Sequence, residues 1–207
     1  NVKSFTKSDI QRYKKARYCP QNIVISFAGG IDAAMAEDLV GKYFSDLPKG
    51  EFEERVPLLK RAKQSLFKRK PIEQAHLALA YPCIRRGDNK EDYVSAINGI
   101  LGGSMSARLF QEVREKRGLA YSVYSYASAY AETGSLNIYA GVNPANAQEA
   151  YEAICEVVGN LKKEGVTKDE FLRSREQMKA GMVFSNENSN TQMLLYGKYM
   201  LYFDKPF

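Results

Sequence analysis

The chain has 207 residues, 44% of them hydrophobic and 26% charged, which is the composition of a folded protein with one large or two small domains. The net charge of +6 permits an acidic partner but does not require nucleic acid. A single histidine, His76, excludes a metal site that needs two histidines from one copy of the chain.

The cysteines and the apolar runs predict the compartment. Cys19, Cys83 and Cys155 are an odd number and lie far apart, which indicates unpaired, buried thiols in a reducing compartment, and we expect a cytoplasmic protein. No apolar run approaches the length of a membrane span, and the first residues contain no signal-peptide core. A catalytic cysteine would need His76 as its base, and we disfavour that interpretation.

The first fifty residues predict two helices around one strand. Thr6 followed by Asp9 is typical of a helix N-terminus. The apolar, β-branched run 22–28 predicts a buried strand. Asp32 predicts the N-cap of a second helix, which ends before Pro48.

Residues 49–71 predict a linker between two lobes. Six lysines and arginines and no acidic residue lie between Pro57 and Pro71. This run is either a patch for an acidic partner or nucleic acid, or a solvated connection. We favour the solvated connection because Phe67 is its one aromatic stacking partner.

A strand is predicted from Gln74 to Tyr81, since its larger apolar residues alternate with small or polar ones. His76 lies on the side opposite to Leu77 and Leu79, among small residues. We interpret it as a structural histidine with a satisfied hydrogen bond on a mostly buried strand, in preference to a catalytic or ligating one.

Two helices and a β-hairpin are predicted next. The helices span 92–101 and a segment from a Ser106 cap to Arg117, ended by Gly118. The hairpin strands are 121–130 and 135–142, and Leu136, Ile138, Ala140 and Val142 are predicted to point inward.

Tyrosines 124, 126 and 130 share one face of the first hairpin strand. They could form a base-stacking platform, but we favour packing of this face under a helix. Asn146 with Glu149 and Thr167 with Glu170 predict the N-termini of two further helices, the second reaching about residue 184. A last helix is predicted over 192–202.

One long motif carries a family resemblance. Residues 101–126 read LGGSMSARLFQEVREKRGLAYSVYSY. This stretch resembles the C-terminal lobe of the pitrilysin/insulinase family of zinc metallopeptidases, which includes the mitochondrial processing peptidases. Residues 18–32 and 43–48 look like the end of that family's N-terminal lobe, and 74–79 like the first strand of its second lobe.

The resemblance implies an α+β fold with antiparallel-rich sheets and helices packed on one face. It implies two incomplete lobes, 1–48 and 72–207, joined by the linker 49–71, in a segment of a longer protein. The family's zinc motif, His-x-x-Glu-His, is absent from this sequence. We therefore expect no metal site and no cofactor in this chain, and zinc in the missing half of an active parent.

The resemblance also implies roles for Arg114 and Tyr121. In the family, the matching arginine holds the substrate main chain and the matching tyrosine stabilises the tetrahedral intermediate. The alternative is that Arg114 pairs with a nearby acid and that Tyr121 fills the core. We expect the other charged residues of this helix to be solvated surface: Arg108, Glu112, Glu115, Lys116 and Arg117.

Three functions from different classes remain open. The first is the substrate-positioning segment of a zinc-dependent endopeptidase, inactive by itself, that binds an extended peptide by strand addition. The second is a non-catalytic subunit that binds peptide or a sister subunit. Either would act with the zinc-bearing half or a sister subunit, as a homo- or heterodimer, and away from membranes. The third, a nucleic-acid binder, rests on charge and tyrosines alone and is disfavoured.

Overall fold

The computed structural model describes residues 2–50 and 63–203 of the chain. Contacts divide the chain into two compact units, Asn1–Pro57 with Gly181–Phe207, and Leu58–Ala180. This division groups residues 181–207 with the N-terminal residues, whereas the sequence analysis assigns them to the C-terminal lobe. Much of the predicted linker, and part of its basic run, lies outside the described residues, and the limits of the two lobes stay a prediction. The described part of the run, residues 63–70, is exposed.

In the unit Leu58–Ala180, three described strands form one antiparallel sheet. They are β1 (Ala75–Cys83), β2 (Ala120–Ala129) and β3 (Gly134–Val142), in the order β1-β3-β2. The predicted strand near residue 75 and the predicted hairpin are thus confirmed. β3 is central because β1 and β2 both pair with it, so each of the other two strands has an outer edge.

The core of this unit lies on one face of the sheet. Inward residues of β2 and β3 pack against helix α4 (Ala147–Glu164), as their alternation predicts. The largest fully buried side chains of this core are Leu101, Leu109, Val113, Ile138, Val142 and Ile154. Each such burial contributes about 1.5–3 kcal/mol relative to an exposed side chain. This single covered face confirms the α+β fold class.

Two helical segments precede β2. The first is helix α3 (Glu91–Leu101), which begins within one residue of the predicted position. The second is a π-helix, Phe110–Lys116, and not the predicted α-helix. Ser106 does not cap it with its side chain: its hydroxyl pairs with the hydroxyl of Ser104, whose carbonyl accepts the Ala107 N–H.

The π-helix has a physical consequence for its neighbours. Val113 within it and Leu109 just before it are fully buried on the core side, while Arg114 stays accessible. Gly118, with φ of +61°, then turns the chain into β2, as its position after the helix predicts. Single-turn π segments of this kind are found frequently at functional sites.

The N-termini of the next helices differ in their caps. α4 begins after Asn146, as predicted, but the Asn146 side chain makes no capping hydrogen bond, so the predicted capping pair with Glu149 is wrong. A short 3-10 turn, Pro144–Asn146, comes first, and the Asn143 side chain accepts the Ala145 N–H at 3.0 Å instead. The predicted cap at Thr167 is confirmed, because Thr167 and Glu170 exchange side-chain-to-backbone hydrogen bonds.

The remaining helices are α5 (Lys168–Glu187) and α6 (Ser189–Phe203). They are separated at Asn188, between the predicted end near residue 184 and the predicted start at 192, and the Asn188 side chain accepts the Thr191 N–H at 3.0 Å. The division between the two units falls within α5.

The unit that contains the N-terminus holds helices α1 (Lys7–Arg17) and α2 (Ala33–Phe44). Both predicted N-caps are confirmed. Thr6 and Asp9 form a reciprocal capping box, and the Asp32 carboxylate accepts the N–H groups of Ala34 and Met35.

The predicted buried strand 22–28 is wrong. Ile23 has extended dihedral angles, but residues 23–28 form no strand, and Val24, Ile25 and Phe27 are exposed. β-branched residues favour extended backbone, but a strand also requires a partner, and no described strand pairs with this segment.

The three cysteines are free thiols, as predicted, with Cys19 buried and Cys83 and Cys155 half-buried. None of the helices in residues 2–50 and 63–203 combines the length and the apolar character that crossing a bilayer requires.

Candidate functional site

A groove of about 620 Å³ lies at the end of the sheet where β1 and β2 begin and β3 ends. It lies within the unit Leu58–Ala180. Both site residues predicted from the sequence, Arg114 and Tyr121, line it. The antiparallel register explains this meeting point, since Ala75 and Ala120 both lie opposite Val142.

Tyr121 lies at a β-bulge near the start of β2. The register with β3 shifts between Ala120 and Ser122, so Tyr121 is a bulge residue without a partner of its own in β3. Such bulges redirect a side chain away from the regular alternation. The Tyr121 side chain is 77% exposed, and the alternative interpretation that it fills the core is wrong.

Arg114 projects from the π-helix with 43% of its side chain exposed. Its guanidinium lies over the ring of Phe110, 4.8 Å from the ring centroid. The distance from its Nε to the Glu115 carboxylate is 3.9 Å, the limit of an ion pair at an exposed position, where such pairs contribute little. Arg114 is therefore oriented by an aromatic ring while its hydrogen-bond donors stay available to a ligand.

The groove also contains polar residues that the sequence did not predict as site residues. Glu73 and Gln74 precede β1, and Asn143 and Asn146 follow β3. The predicted limits of β1 and β3 could have identified these residues. Antiparallel pairing of the two strands brings the residues before β1 next to the residues after β3. Carboxamide, carboxylate, guanidinium and phenol groups together can donate to and accept from a peptide main chain.

An ion pair fixes the chain just before the π-helix. Arg108 donates to both carboxylate oxygens of Glu170, at 2.6 and 2.7 Å, and to the Gly165 carbonyl at 2.8 Å. Its side chain is 18% exposed, so the prediction that Arg108 is solvated surface is wrong. The hydrogen bonds from Arg108 lower the pKa of Glu170 to about 2, with help from the Thr167 N–H and against the opposing effect of burial.

The other charged residues of this helix lie at the surface, as predicted. Lys116 pairs with Glu112, and Arg117 pairs with Glu156, at partly exposed or exposed positions.

His76 is exposed on β1, so the prediction of a mostly buried strand around it is wrong in this respect. The predicted hydrogen bond is present, since His76 Nδ1 lies 2.7 Å from the Tyr139 hydroxyl. The prediction that a helix covers the three tyrosines on one face of the first hairpin strand is also wrong. Tyr124, Tyr126 and Tyr130 are 45%, 47% and 61% exposed, because the helices of this unit pack on the opposite face.

The described residues do not fit a zinc site. Within residues 2–50 and 63–203, no group of three or more His, Cys, Asp or Glu side chains is placed to hold a metal ion. His76, the one histidine of the sequence, is engaged with Tyr139.

Comparison with protein families finds a match over most of the chain. A family model described as the peptidase M16 inactive domain matches residues 4–178. A Bacillus subtilis protein named as an uncharacterized zinc protease, YmxG, is 38% identical over 94% of this chain and 47% of its own length. A Streptomyces coelicolor protein named as an uncharacterized zinc protease, SCO5738, is 34% identical over 95% of this chain and 45% of its own length. The chain spans about half the length of the curated relatives it matches.

Solved structures share the fold. A Helicobacter pylori protease has a TM-score of 0.81 over 98% of this chain and 51% of its own, with 23% identity. A peptidase M16 inactive domain from Pseudomonas fluorescens has a TM-score of 0.76 over 98% of this chain and 48% of its own, with 26% identity.

Proposed function

Because this chain belongs to the family of the peptidase M16 inactive domain, we propose that it is the substrate-positioning segment of a zinc-dependent endopeptidase. The observation that carries this proposal is the meeting of Arg114 and Tyr121 in one open groove. They lie seven positions apart in sequence, and the π-helix, the Gly118 turn and the β2 bulge direct both side chains toward the same space.

The two side chains suit the chemistry of peptide hydrolysis. Attack on the scissile carbonyl places negative charge on its oxygen, which a preorganised phenol O–H can stabilise by donating a hydrogen bond. A guanidinium presents several donors in a rigid plane, which suits the carbonyl groups of an extended main chain. In this proposal Tyr121 serves the oxyanion and Arg114 holds the substrate backbone.

The substrate in this proposal is an extended peptide. β1 and β2 each have an outer edge that no other described strand covers, and β2 begins beside the groove. A peptide can add to such an edge through main-chain hydrogen bonds, which makes binding tolerant of sequence. Part of the β2 edge is already occupied, because the Ser125 N–H donates to the Gly102 carbonyl at 3.2 Å.

The proposal requires a partner that carries the zinc. The chain spans about half of its curated relatives, and its described residues hold no group that fits a metal. The zinc-bearing half, within a longer chain or in a sister subunit of a homo- or heterodimer, would complete the active site. Three free thiols favour a reducing compartment, and the cytoplasm is part of the same proposal.

A non-catalytic subunit is the second candidate. The matched family is itself described as an inactive domain, and this observation favours the alternative. A parent without a His-x-x-Glu-His motif would identify this function, since its groove would then bind peptide without cleavage.

Substitution of Tyr121 in the full-length protein tests the proposed function. We expect Tyr121→Phe to lower kcat by about 10²–10³ while KM changes little, because the oxyanion exists only after attack on the carbonyl. Arg114→Lys keeps the charge but loses the planar donor set, so KM should rise as well. Steady-state kinetics on one quenched peptide measures both effects.

Tyr93→Phe is the matched control, because Tyr93 is an exposed tyrosine of α3 outside the groove. It should leave both kinetic constants unchanged. A Tyr121→Phe variant with wild-type kcat would contradict the proposed role of the phenol, and thermal melts of each variant separate a folding defect from a catalytic one.

A further inference from the structure

The sheet of the unit Leu58–Ala180 has an open side that carries four aromatic rings. We call the surface formed by His76, Tyr124, Tyr126 and Tyr139 the aromatic face. Between ring centroids, Tyr124 lies 5.1 Å from Tyr139 and 6.1 Å from Tyr126, and the His76 centroid lies 5.9 Å from that of Tyr139. The hydrogen bond between His76 and the Tyr139 hydroxyl fixes two of these rings relative to each other.

The aromatic face is continuous with the groove that holds Arg114 and Tyr121. Gln74 lines the groove, and its Oε1 lies 3.3 Å from where a Cβ on Gly141 would stand. The Tyr139 hydroxyl lies 3.5 Å from the same point. The Ser122 hydroxyl lies 3.0 Å from that point as well, so the missing side chain of Gly141 lets a groove residue, Gln74, come close to the first ring of the aromatic face.

The open side of the sheet carries no lysine, arginine, aspartate or glutamate on its three strands. Its outward positions on β1 are His76, Ala78, Ala80 and Pro82; those on β2 are Ser122, Tyr124, Tyr126 and Ser128; and those on β3 are Ser135, Asn137, Tyr139 and Gly141. Without lysine or arginine among them, this surface offers little to the phosphates of a nucleic acid.

The shape of the aromatic face favours a flat, apolar occupant. Ala78 pairs with Tyr139 in the sheet, Ala80 pairs with Asn137, and both alanines are exposed. Their small side chains leave space beside the Tyr139 ring on the β1 side. An aromatic side chain in this space can meet the tyrosine rings in the offset or edge-to-face arrangements that aromatic pairs prefer.

We propose that the aromatic face is a specificity site for an aromatic side chain of the peptide, about three residues from the scissile bond. The inference rests on the proposed function, because Tyr121 marks the reacting carbonyl. Tyr124 lies three residues along β2 from Tyr121, which corresponds to roughly 10 Å of extended chain. Because the Gly102 carbonyl occupies the β2 edge at Ser125, the peptide in this inference lies over the open side of the sheet, where a side chain about three residues from the reacting carbonyl at Tyr121 reaches the rings.

Peptide binding by the 207-residue chain tests the inference. The probes are two fluorescently labelled, uncharged decapeptides that differ in one residue, phenylalanine or alanine, and Kd is measured by fluorescence anisotropy. We expect the phenylalanine peptide to bind about tenfold more tightly, an order of magnitude set by ring burial and aromatic pairing. Tyr124→Ala should reduce this ratio to nearly one and leave the affinity for the alanine peptide unchanged.

Matched variants separate this inference from the proposed function. Tyr124→Phe keeps the ring and should keep the tenfold ratio, and Tyr93→Ala, at an exposed tyrosine of α3, should not change it. Arg114→Ala should weaken both peptides equally, because it acts on the main chain.

If Arg114→Ala weakens both peptides but phenylalanine gives no advantage, the inference is wrong and the proposed function stands. An undiminished ratio in Tyr124→Ala also overturns the inference, and so does the absence of binding by either peptide, which counts against both proposals. Displacement of the peptide by single-stranded RNA whose own binding needs Tyr124 would identify a base-stacking surface instead.

Discussion

Arg108 has a different environment in the structure from the one that its sequence predicts. In sequence, Arg108 belongs to a row of charged residues that is typical of a solvated helix. In the fold, it is paired in a bidentate manner with Glu170, which is 62 residues away and whose carboxylate also accepts the Thr167 N–H at the start of α5. The pair ties the start of the π-helical region to α5, and so supports the element that carries Arg114.

Replacement of Glu170 tests this contribution. We expect Glu170→Gln to lower the free energy of unfolding at pH 7 by about 2 kcal/mol, because charge-assisted hydrogen bonds are lost and a largely buried guanidinium is left without its counterion. Urea denaturation, followed by circular dichroism, measures the change.

The pH dependence has a defined sign. The folded-state pKa of Glu170, about 2, lies below its ordinary value of 4.5. The stability from this group is therefore fully present above about pH 4.5 and is lost as the pH falls toward 2. In this window the wild-type protein should lose more stability than Glu170→Gln.

Glu176 provides the matched control on the same helix. It pairs with Arg175 and Lys179 at an exposed position, where ion pairs contribute little. Glu176→Gln should leave the urea midpoint unchanged at pH 7. Equal effects of the two substitutions would show that the Arg108 pair has no special structural role.

At the scale of elements, the β2–β3 hairpin depends on close approach of the chain at Gly134. A Cβ at this position would lie 1.8 Å from the Ile84 carbonyl oxygen, a backbone atom just after β1 that cannot move independently. The hairpin turn predicted from the sequence explains why a glycine is tolerated here. The contact with Ile84, which the sequence does not reveal, explains why a glycine is required.

Two glycine-to-alanine substitutions should therefore have opposite effects. Gly134→Ala should destabilise the protein by about 1–3 kcal/mol, because the end of the sheet must move to relieve the overlap. Gly159→Ala, at an exposed interior position of α4 where the new Cβ meets nothing beyond the neighbouring helix backbone within 4 Å, should stabilise it by about 1 kcal/mol. Denaturant unfolding of both variants checks the pair, and a Gly134→Ala variant as stable as wild type would contradict the close approach.

At the scale of the whole molecule, the proposed function predicts an activity divided between two parts. The 207-residue chain alone should not cleave peptides, since its described residues contain no group that fits zinc and could activate water. Addition of the zinc-bearing half should restore cleavage that a chelator removes. A quenched-peptide assay with and without that half measures this, and elemental analysis of the dialysed chain reports its zinc content.

Chelator-sensitive cleavage by the chain alone, or one tightly bound zinc per chain, would contradict the proposal that the activity needs both parts. If the zinc-bearing half binds the chain but no cleavage follows, the non-catalytic subunit is the better description.

Local sequence chemistry by itself determined most elements of this protein. The caps at Thr6, Asp32 and Thr167 and the alternation in β3 act over a few residues, so they can be read without the fold. The motif around Arg114 and Tyr121 likewise indicates the family from the sequence alone.

Contacts between distant residues were decided only by the tertiary structure. Residues 23–28 form no strand, because the composition of a segment does not supply a partner strand. The tyrosines of β2 are exposed because helices cover only the other face of the sheet. The sequence of β2 does not determine which of its two faces the helices cover. The groove itself needs the end of β3 to meet the starts of β1 and β2, a long-range pairing that local propensity does not encode.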